Sequence, residues 1–292
     1  MRTFQQIGPL RSYLRGVRDE GKTIGLVPTM GSLHEGHLSL FQRAQKDCDL
    51  VVASIFVNPS QFAPHEDFNA YPRDLNRDLQ LASNAGVGAV FHPNVEEIYP
   101  EGFQSKISVS ELSSLYEGLI RPGHFDGVAT IVNKLFNIVV PERAYFGMKD
   151  YQQLLIIERM VKDLDLHLDI VAVLTAREQN GLALSSRNAY LSSEEKVAAT
   201  VLYRAMKKAE ELLHSGEFDP VKILAELIYL IKSEPLATPD YIELVDSETL
   251  KPVTTLEGAT TLVLLAIRIG KTQLIDNMLI APEGITASRH KK

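Results

Sequence analysis

Up to about residue 175, short apolar runs alternate with stretches in which apolar residues recur at helical spacing. The runs Ile24–Pro28, Leu50–Val57, Val87–Phe91, Ala144–Phe146 and Leu168–Leu174 predict strands. Short apolar runs that end at Pro, Asn or Gly suit buried β-structure. Between them, His37–Lys46 carries Leu38, Leu40, Phe41 and Ala44 on one helical face. Arg73–Asn84, stopped at Gly86, then Gly127–Val139 and Tyr151–Leu164 also predict helices. Such β–α alternation implies parallel strands joined by right-handed crossovers, with helices on both faces.

The pattern then changes. Residues 175–190, TAREQNGLALSSRNAY, are polar and loop-like. Two helical stretches follow, Ser193–His214 and Pro220–Ser233, and then three strand-like runs, Tyr241–Val245, Thr260–Ile269 and Gln273–Met278. The expected fold class is α/β: a Rossmann-like, doubly wound parallel sheet over residues 1–176, with a smaller C-terminal α+β domain over residues 177–292. A length of 292 residues agrees with about two domains.

Composition narrows the function. Thirty Lys+Arg against 37 Asp+Glu gives a net charge of −7, and the pI is near 5.7. Nucleic-acid binding draws on a basic surface, so a nucleic-acid partner is not expected. A phosphate-bearing small molecule needs only a local patch. One cysteine, Cys48, excludes an intrachain disulfide framework and is read as inert. No apolar run reaches the length of a membrane span, and the N-terminal MRTFQQIGPLRSYLR lacks the apolar core of a secretory signal. The expected location is cytoplasmic, with no membrane partner. The basic end, SRHKK, reads as solvated charge.

Two motifs are decoys. Gly16–Thr23, GVRDEGKT, satisfies the P-loop pattern, but a helix-like segment precedes it and a strand-like one follows, the reverse of what that mechanism needs. His34-Glu35-Gly36-His37 has its histidines at i and i+3 rather than i and i+4, so it is a poor zinc helix.

The segment Pro28-Thr29-Met30-Gly31-Ser32-Leu33-His34-Glu35-Gly36-His37 links the first predicted strand to the next helix. In parallel sheets, ligands bind beyond the carboxyl ends of the strands. A helix N-terminus offers unpaired N–H groups to a phosphate, and two histidines add further donors.

This segment, PTMGSLHEGHLSL, resembles the signature of the pantothenate synthetase (pantoate–β-alanine ligase) family within the H-x-G-H nucleotidyltransferase superfamily. The resemblance recurs in SIFVNPSQF (Ser54–Phe62), Tyr71-Pro72-Arg73, RPGHFDGVATIVNKLFN (Arg121–Asn137), YFGMKDYQQL (Tyr145–Leu154), GLALSSRNAY (Gly181–Tyr190) and LIDN (Leu274–Asn277). It runs from about residue 20 to 280.

The resemblance implies an ATP-dependent ligase that joins pantoate to β-alanine through a pantoyl adenylate, uses Mg²⁺, and forms a homodimer. It implies ATP contacts at Met30, Gly31, Ser32, Leu33, His34, Glu35, Gly36, His37, Gly147, Met148, Lys149, Asp150, Ala176, Leu184, Ser185, Ser186 and Arg187. Gln61 and Gln153 match the pantoate and β-alanine contacts. Asn58, Tyr71, Glu117, Arg121 and His124 are further pocket candidates.

These residue types suit the reaction. The carboxylate nucleophile is already ionised near neutral pH, so no general base is needed. What remains is anion repulsion and charge growing on the leaving pyrophosphate, which calls for positioning and electrostatic stabilisation. His34, His37, Lys149 and Arg187 are the expected catalytic set, with His37 matching the family's proposed proton donor. Met148 stands where many relatives carry Glu, a change expected to leave activity intact. Asp78 is a weak candidate for a Mg²⁺-linked role, and no metal ligand is assigned. Two other readings remain: a nucleotidyltransferase that keeps AMP on its product, and a nucleotide-binding regulator without activity.

Overall fold

A computed structural model describes residues 1–63, 68–258, 260–281 and, for the backbone, 284–285. The basic tail Ser288–Lys292 lies outside the described residues, as does Ala259. The chain divides into two compact units: residues 1–147 with 152–173, and residues 148–151 with 174–292. These units differ from a single cut at residue 176 in that residues 148–151 and 174–176 group with the second unit.

The first unit holds strands β1 (Arg2–Phe4), β2 (Ile24–Thr29), β3 (Leu50–Ile55), β4 (Ala89–Phe91), β5 (Arg143–Gly147) and β6 (Asp169–Val173). Its helices are α1 (Ile7–Asp19), α2 (Glu35–Asp47), α3 (Leu75–Asn84), α4 (Val95–Ile98), α5 (Tyr116–Ile120), α6 (His124–Val139) and α7 (Tyr151–Asp163), whose first residue groups with the second unit. The six strands form one parallel sheet in the order β1-β4-β3-β2-β5-β6. This is the expected doubly wound α/β sheet. Val27, Val51, Ala53 and Val90 pack with Leu40, Phe41 and Ala44 of α2 and Ala82 of α3. Helices α1 and α6 adjoin each other, and Phe136 of α6 meets Phe146 of β5 edge to face.

The order of the strands locates the site. From β2 the chain adds β3 and β4 on one side, then crosses to place β5 on the other. That reversal is the topological switch point of a doubly wound sheet. β2 pairs with β3 through six residues, from Ile24↔Leu50 to Thr29↔Ile55. It pairs with β5 only at Gly25↔Arg143 and Leu26↔Ala144. Beyond these, the carboxyl halves of β2 and β5 make no ladder, which opens the sheet where a ligand is expected.

The second unit contains α8 (Ser193–Ala199), α9 (Val201–His214), α10 (Pro220–Lys232), β7 (Ala237–Asp246), β8 (Thr261–Ile269), β9 (Thr272–Ala281) and β10 (Gly284–Ile285). The strands form an antiparallel sheet in the order β10-β9-β8-β7. Leu202, Ala205, Met206 and Ala209 of α9 and Ile223, Leu227 and Ile231 of α10 pack on Val263, Leu265 and Ile267 of β8. Amphipathic helices burying one face against one sheet make the expected α+β architecture.

Several details differ from the sequence reading. β1 was not expected, because three residues carry no periodicity; its place is set by pairing with β4. The helix expected over Ser193–His214 is two, α8 and α9, meeting at Thr200. The Thr200 hydroxyl donates to the carbonyl of Val197, 2.7 Å away, a local bond that competes with continuous helix. α6 starts at His124 rather than Gly127, behind Gly123 at φ +83°. α4 and α5 are single turns, too short to leave a pattern. The P-loop-like Gly16–Thr23 straddles the end of α1 and the turn into β2, with Gly21 at φ +75°. Among the described residues, no helix is long and apolar enough to cross a membrane.

Candidate active site

In the first unit, the loop after β2 is held from inside. Gly31 and Ser32 both take positive φ, +82° and +52°. Buried Asp78 of α3 fixes this turn. Its Oδ2 accepts from the Ser32 amide and its Oδ1 from the Leu33 amide, each at 2.8 Å. A Cβ at position 31 would sit 2.8 Å from Asp78 Oδ2, so the clamp also demands glycine there. Arg77 adds a bond from Nη1 to the carbonyl of Leu33, 3.1 Å. With both oxygens engaged by amides, Asp78 supports the loop and is badly placed as a metal ligand.

The two histidines form a reciprocal cap on α2. The Gly36 amide donates to His34 Nδ1 at 3.2 Å, and the His34 amide donates to His37 Nδ1 at 3.3 Å. The ring centroids lie 4.1 Å apart. An imidazole that accepts at Nδ1 has Nε2 as its donor position. This revises one expectation. The amides of Ser32, Leu33, Gly36 and His37 are already bonded within the protein. Those four amides are therefore not free to bind an anion at this helix end.

Gln61 is buried beside this loop. Its Nε2 donates to Met30 Sδ at 3.0 Å, and its Oε1 accepts from Asn58 Nδ2 at 3.1 Å. Asn58, also buried, accepts from the Tyr99 hydroxyl at 2.8 Å and from Ser60. Its Nδ2 also donates to the carbonyl of Gly127. A Cβ on Gly127 would lie 2.3 Å from the carbonyl oxygen of Ser60, so glycine lets α6 close on this turn. The orientation of the Gln61 amide is thus set through Asn58 by Tyr99, a residue the sequence reading missed. Burial pushes the Tyr99 hydroxyl above its ordinary pKa, so it stays a protonated donor well into the alkaline range.

The other candidates of this unit are placed as follows. His124 Nδ1 lies 2.8 Å from the carbonyl oxygen of Gln61, with Arg121 beside it. The amide of buried Glu117 donates to Gln152 Oε1. Tyr71 packs edge-on against Phe62. Gly147 ends β5 beside the switch point, and half-buried Gln153 lies on the first turn of α7.

The second unit gathers the cations. Residues 148–150 form a short 3-10 turn ahead of α7. Lys149 Nζ is 3.6 Å from Asp150 Oδ1, and the lysine side chain is largely covered. Met148 is buried at 6% exposure, so a Glu there would enter a covered position. Lys149, Ser185, Arg187, Asn188, Gln273 and Asp276 share one cleft. Ser185 Oγ accepts from the Arg187 amide at 3.3 Å, capping the turn Ser186–Tyr190. Ala176 and Leu184 join through the Leu184 amide and the Ala176 carbonyl, 2.9 Å, closing the loop that carries Ser185–Arg187. Among the described residues, no cluster of three or more His, Cys, Asp or Glu could hold a metal ion.

The profile of the family described as pantoate-beta-alanine ligase matches residues 2–279. This chain belongs to that family. A pantothenate synthetase from Carboxydothermus hydrogenoformans is 52% identical over 281 residues, covering 96% of this chain and 99% of the relative. A crystal structure of the pantothenate synthetase from Thermus thermophilus has a TM-score of 0.91 at 46% identity, covering 95% of this chain and 99% of that one. The pantoate-β-alanine ligase from Francisella tularensis, solved with a β,γ-ATP compound and β-alanine, has a TM-score of 0.80 at 36% identity, covering 96% and 97%. The pantoate-β-alanine ligase family is one of ligases, and this chain is such an enzyme.

Proposed function

We propose that this chain condenses pantoate with β-alanine in an ATP-dependent reaction that yields pantothenate, AMP and pyrophosphate. A pantoate carboxylate oxygen attacks the α-phosphorus, and the bond from that phosphorus to the β-phosphate oxygen breaks. The products of this step are pantoyl adenylate and pyrophosphate. The β-alanine nitrogen then attacks the acyl carbon, its proton is lost to solvent, and the acyl–oxygen bond breaks to release AMP.

The observation that carries this reading is the imidazole pair, pinned through Nδ1 beside the sheet's switch point in a chain matching the ligase family over residues 2–279. In this reading the Nε2–H groups of His34 and His37 donate to ATP phosphate oxygens. The nucleotide contacts in this reading are Met30–His37, Gly147, Met148, Lys149, Asp150, Ala176, Leu184 and Ser185–Arg187. Lys149 and Arg187 bring positive charge to the phosphates, and the hydroxyls of Ser185 and Ser186 donate alongside. Gln61 and Gln153 hold pantoate, and Gln61 also β-alanine. A neutral amide serves because it binds a carboxylate without holding it back as an ion pair. Mg²⁺ arrives with the ATP phosphates and needs few protein ligands. The enzyme works in the cytoplasm as a homodimer, which sedimentation of the purified protein checks.

The test incubates the protein with ATP, Mg²⁺, pantoate and β-alanine. AMP and pyrophosphate are expected in equal amounts and only when pantoate is present. Formation of ADP, or no turnover, overturns the proposal.

A further inference from the structure

The LIDN segment carries two polar residues inside an otherwise apolar strand, and neither has a part in the reaction above. Both are almost wholly buried: Asp276 at 2% and Asn277 at 5% exposure. Buried polar side chains in a strand cost stability unless they are fully bonded. Both are bonded: Asp276 to Arg177, on the loop that leads to Ser185–Arg187, and Asn277 to Met148 and Lys149 of the candidate site.

Consecutive strand residues point to opposite faces. Leu274 and Met278, two residues either side of Asp276, belong to the core cluster shared with α9. On that face Asp276 accepts a two-pronged pair from Arg177: Nη1 to Oδ2 at 2.6 Å and Nη2 to Oδ1 at 2.9 Å. The Arg177 guanidinium also lies over the ring of Tyr203. This ties down the loop that ends at Ser185–Arg187.

Asn277 acts on the lysine turn. Its side-chain amide has two N–H groups and spends both on successive carbonyls, those of Met148 at 2.9 Å and Lys149 at 2.7 Å. The Met148–Asp150 turn leads directly into α7. One amide holding two adjacent carbonyls sets the position and the tilt of the Lys149 Cα. The side chain then leaves from a fixed origin towards the cleft it shares with Ser185 and Arg187. The cation cannot be preorganised on a mobile turn, and electrostatic stabilisation depends on preorganisation.

We infer that Asn277 is a positioning residue for the reaction: its amide bridges the Met148 and Lys149 carbonyls and aims the Lys149 ammonium. The inference rests on the proposed role of Lys149. Removing the clamp therefore weakens catalysis through the turn that carries the lysine.

The experiment is a mutant cycle on the pantoate-dependent release of pyrophosphate, with Lys149→Ala, Asn277→Ala and both together. Thermal melting of each protein is followed in parallel. Asn277→Ala should lower kcat about 10- to 100-fold, the range seen when a supporting hydrogen bond behind a functional group is removed. KM for pantoate should stay within about twofold, because the Asn277 amide bonds the Met148 and Lys149 carbonyls and neither pantoate glutamine. The double variant should be no slower than Lys149→Ala by more than about threefold, since coupled residues do not add. Asn277→Asp, nearly isosteric, sets a carboxylate against two carbonyl oxygens. It takes the place of Asn277→Ala if the alanine variant fails to fold, and kcat should fall at least about 10-fold. Multiplying effects in the double variant, or Asn277→Asp with normal kcat, overturns the positioning role alone. Normal turnover in Lys149→Ala overturns the role of the lysine, and the inference with it.

Discussion

The two units hold their functional groups by different means. In the first, the histidines are fixed within their own segment. His34 and His37 cap the start of their own helix within four residues of chain, while Asp78 and Arg77 of α3 and Gln61 bond the loop from outside. In the second, the turns that carry Lys149 and Ser185–Arg187 have local bonds of their own and are anchored besides from β9, about 90 to 130 residues away. A helix terminus can organise donors with local bonds. The lysine on its 3-10 turn borrows further rigidity from a sheet. The lesson is that a group's local sequence shows its chemistry more readily than its support.

The contrast can be broken by substitution, and the largest effect should come from the cations themselves. Lys149→Ala is expected to slow pyrophosphate release about 10²- to 10³-fold, as loss of one preorganised stabiliser does. Its melting temperature should stay within a few degrees. Rapid-quench assays measure the first and scanning calorimetry the second, and normal turnover would remove Lys149 from the scheme.

Asp78→Ala should cost both activity and stability. It leaves the amides of Ser32 and Leu33 unbonded in a covered loop, and an unsatisfied buried donor costs about 1–3 kcal/mol. Urea titration reads that loss, and KM for ATP should rise as the loop relaxes. If stability fell while ATP binding were untouched, the loop would not be part of the nucleotide site. Gly31→Ala tests the same clamp from the other side, through the contact with Asp78 and the positive φ. It should destabilise by about 1–3 kcal/mol.

The smallest effect is expected at Tyr99→Phe, which removes one hydrogen bond behind Asn58. A loss of about 0.5–1.5 kcal/mol is expected. KM for pantoate should rise a few-fold with kcat nearly unchanged. Because burial raises the Tyr99 pKa, the wild-type enzyme keeps this donor above the pH where an exposed tyrosine ionises. KM for pantoate should then show no Tyr99-linked rise through the ordinary tyrosine range. An alkaline rise that vanishes in Tyr99→Phe would contradict the buried-donor assignment.

Much of the fold was legible because its signals are periodic. The runs at Ile24–Pro28, Leu50–Val57 and Leu168–Leu174 became β2, β3 and β6 within two residues at most ends. What escaped was set by tertiary bonds: β1, whose three residues gain identity only by pairing with β4, and the break at Thr200. In the site, the histidine segment was readable since glycines and histidines cluster before a helix. Asp78 reads as a candidate for a Mg²⁺-linked role, while its two amide bonds to the loop depend on α3 packing beside α2. Asn277 gave one faint signal, an amide in an apolar strand, with no indication of the turn it holds.

The most direct test of the central claim follows an oxygen atom. Pantoate labelled with ¹⁸O in its carboxylate is incubated with enzyme, ATP, Mg²⁺ and β-alanine, and the AMP is examined by mass spectrometry. If the carboxylate attacks the α-phosphorus and the amine later cleaves the acyl–oxygen bond, each AMP carries one ¹⁸O from pantoate. Unlabelled AMP, or ADP as the nucleotide product with the ¹⁸O in released inorganic phosphate, would contradict the account.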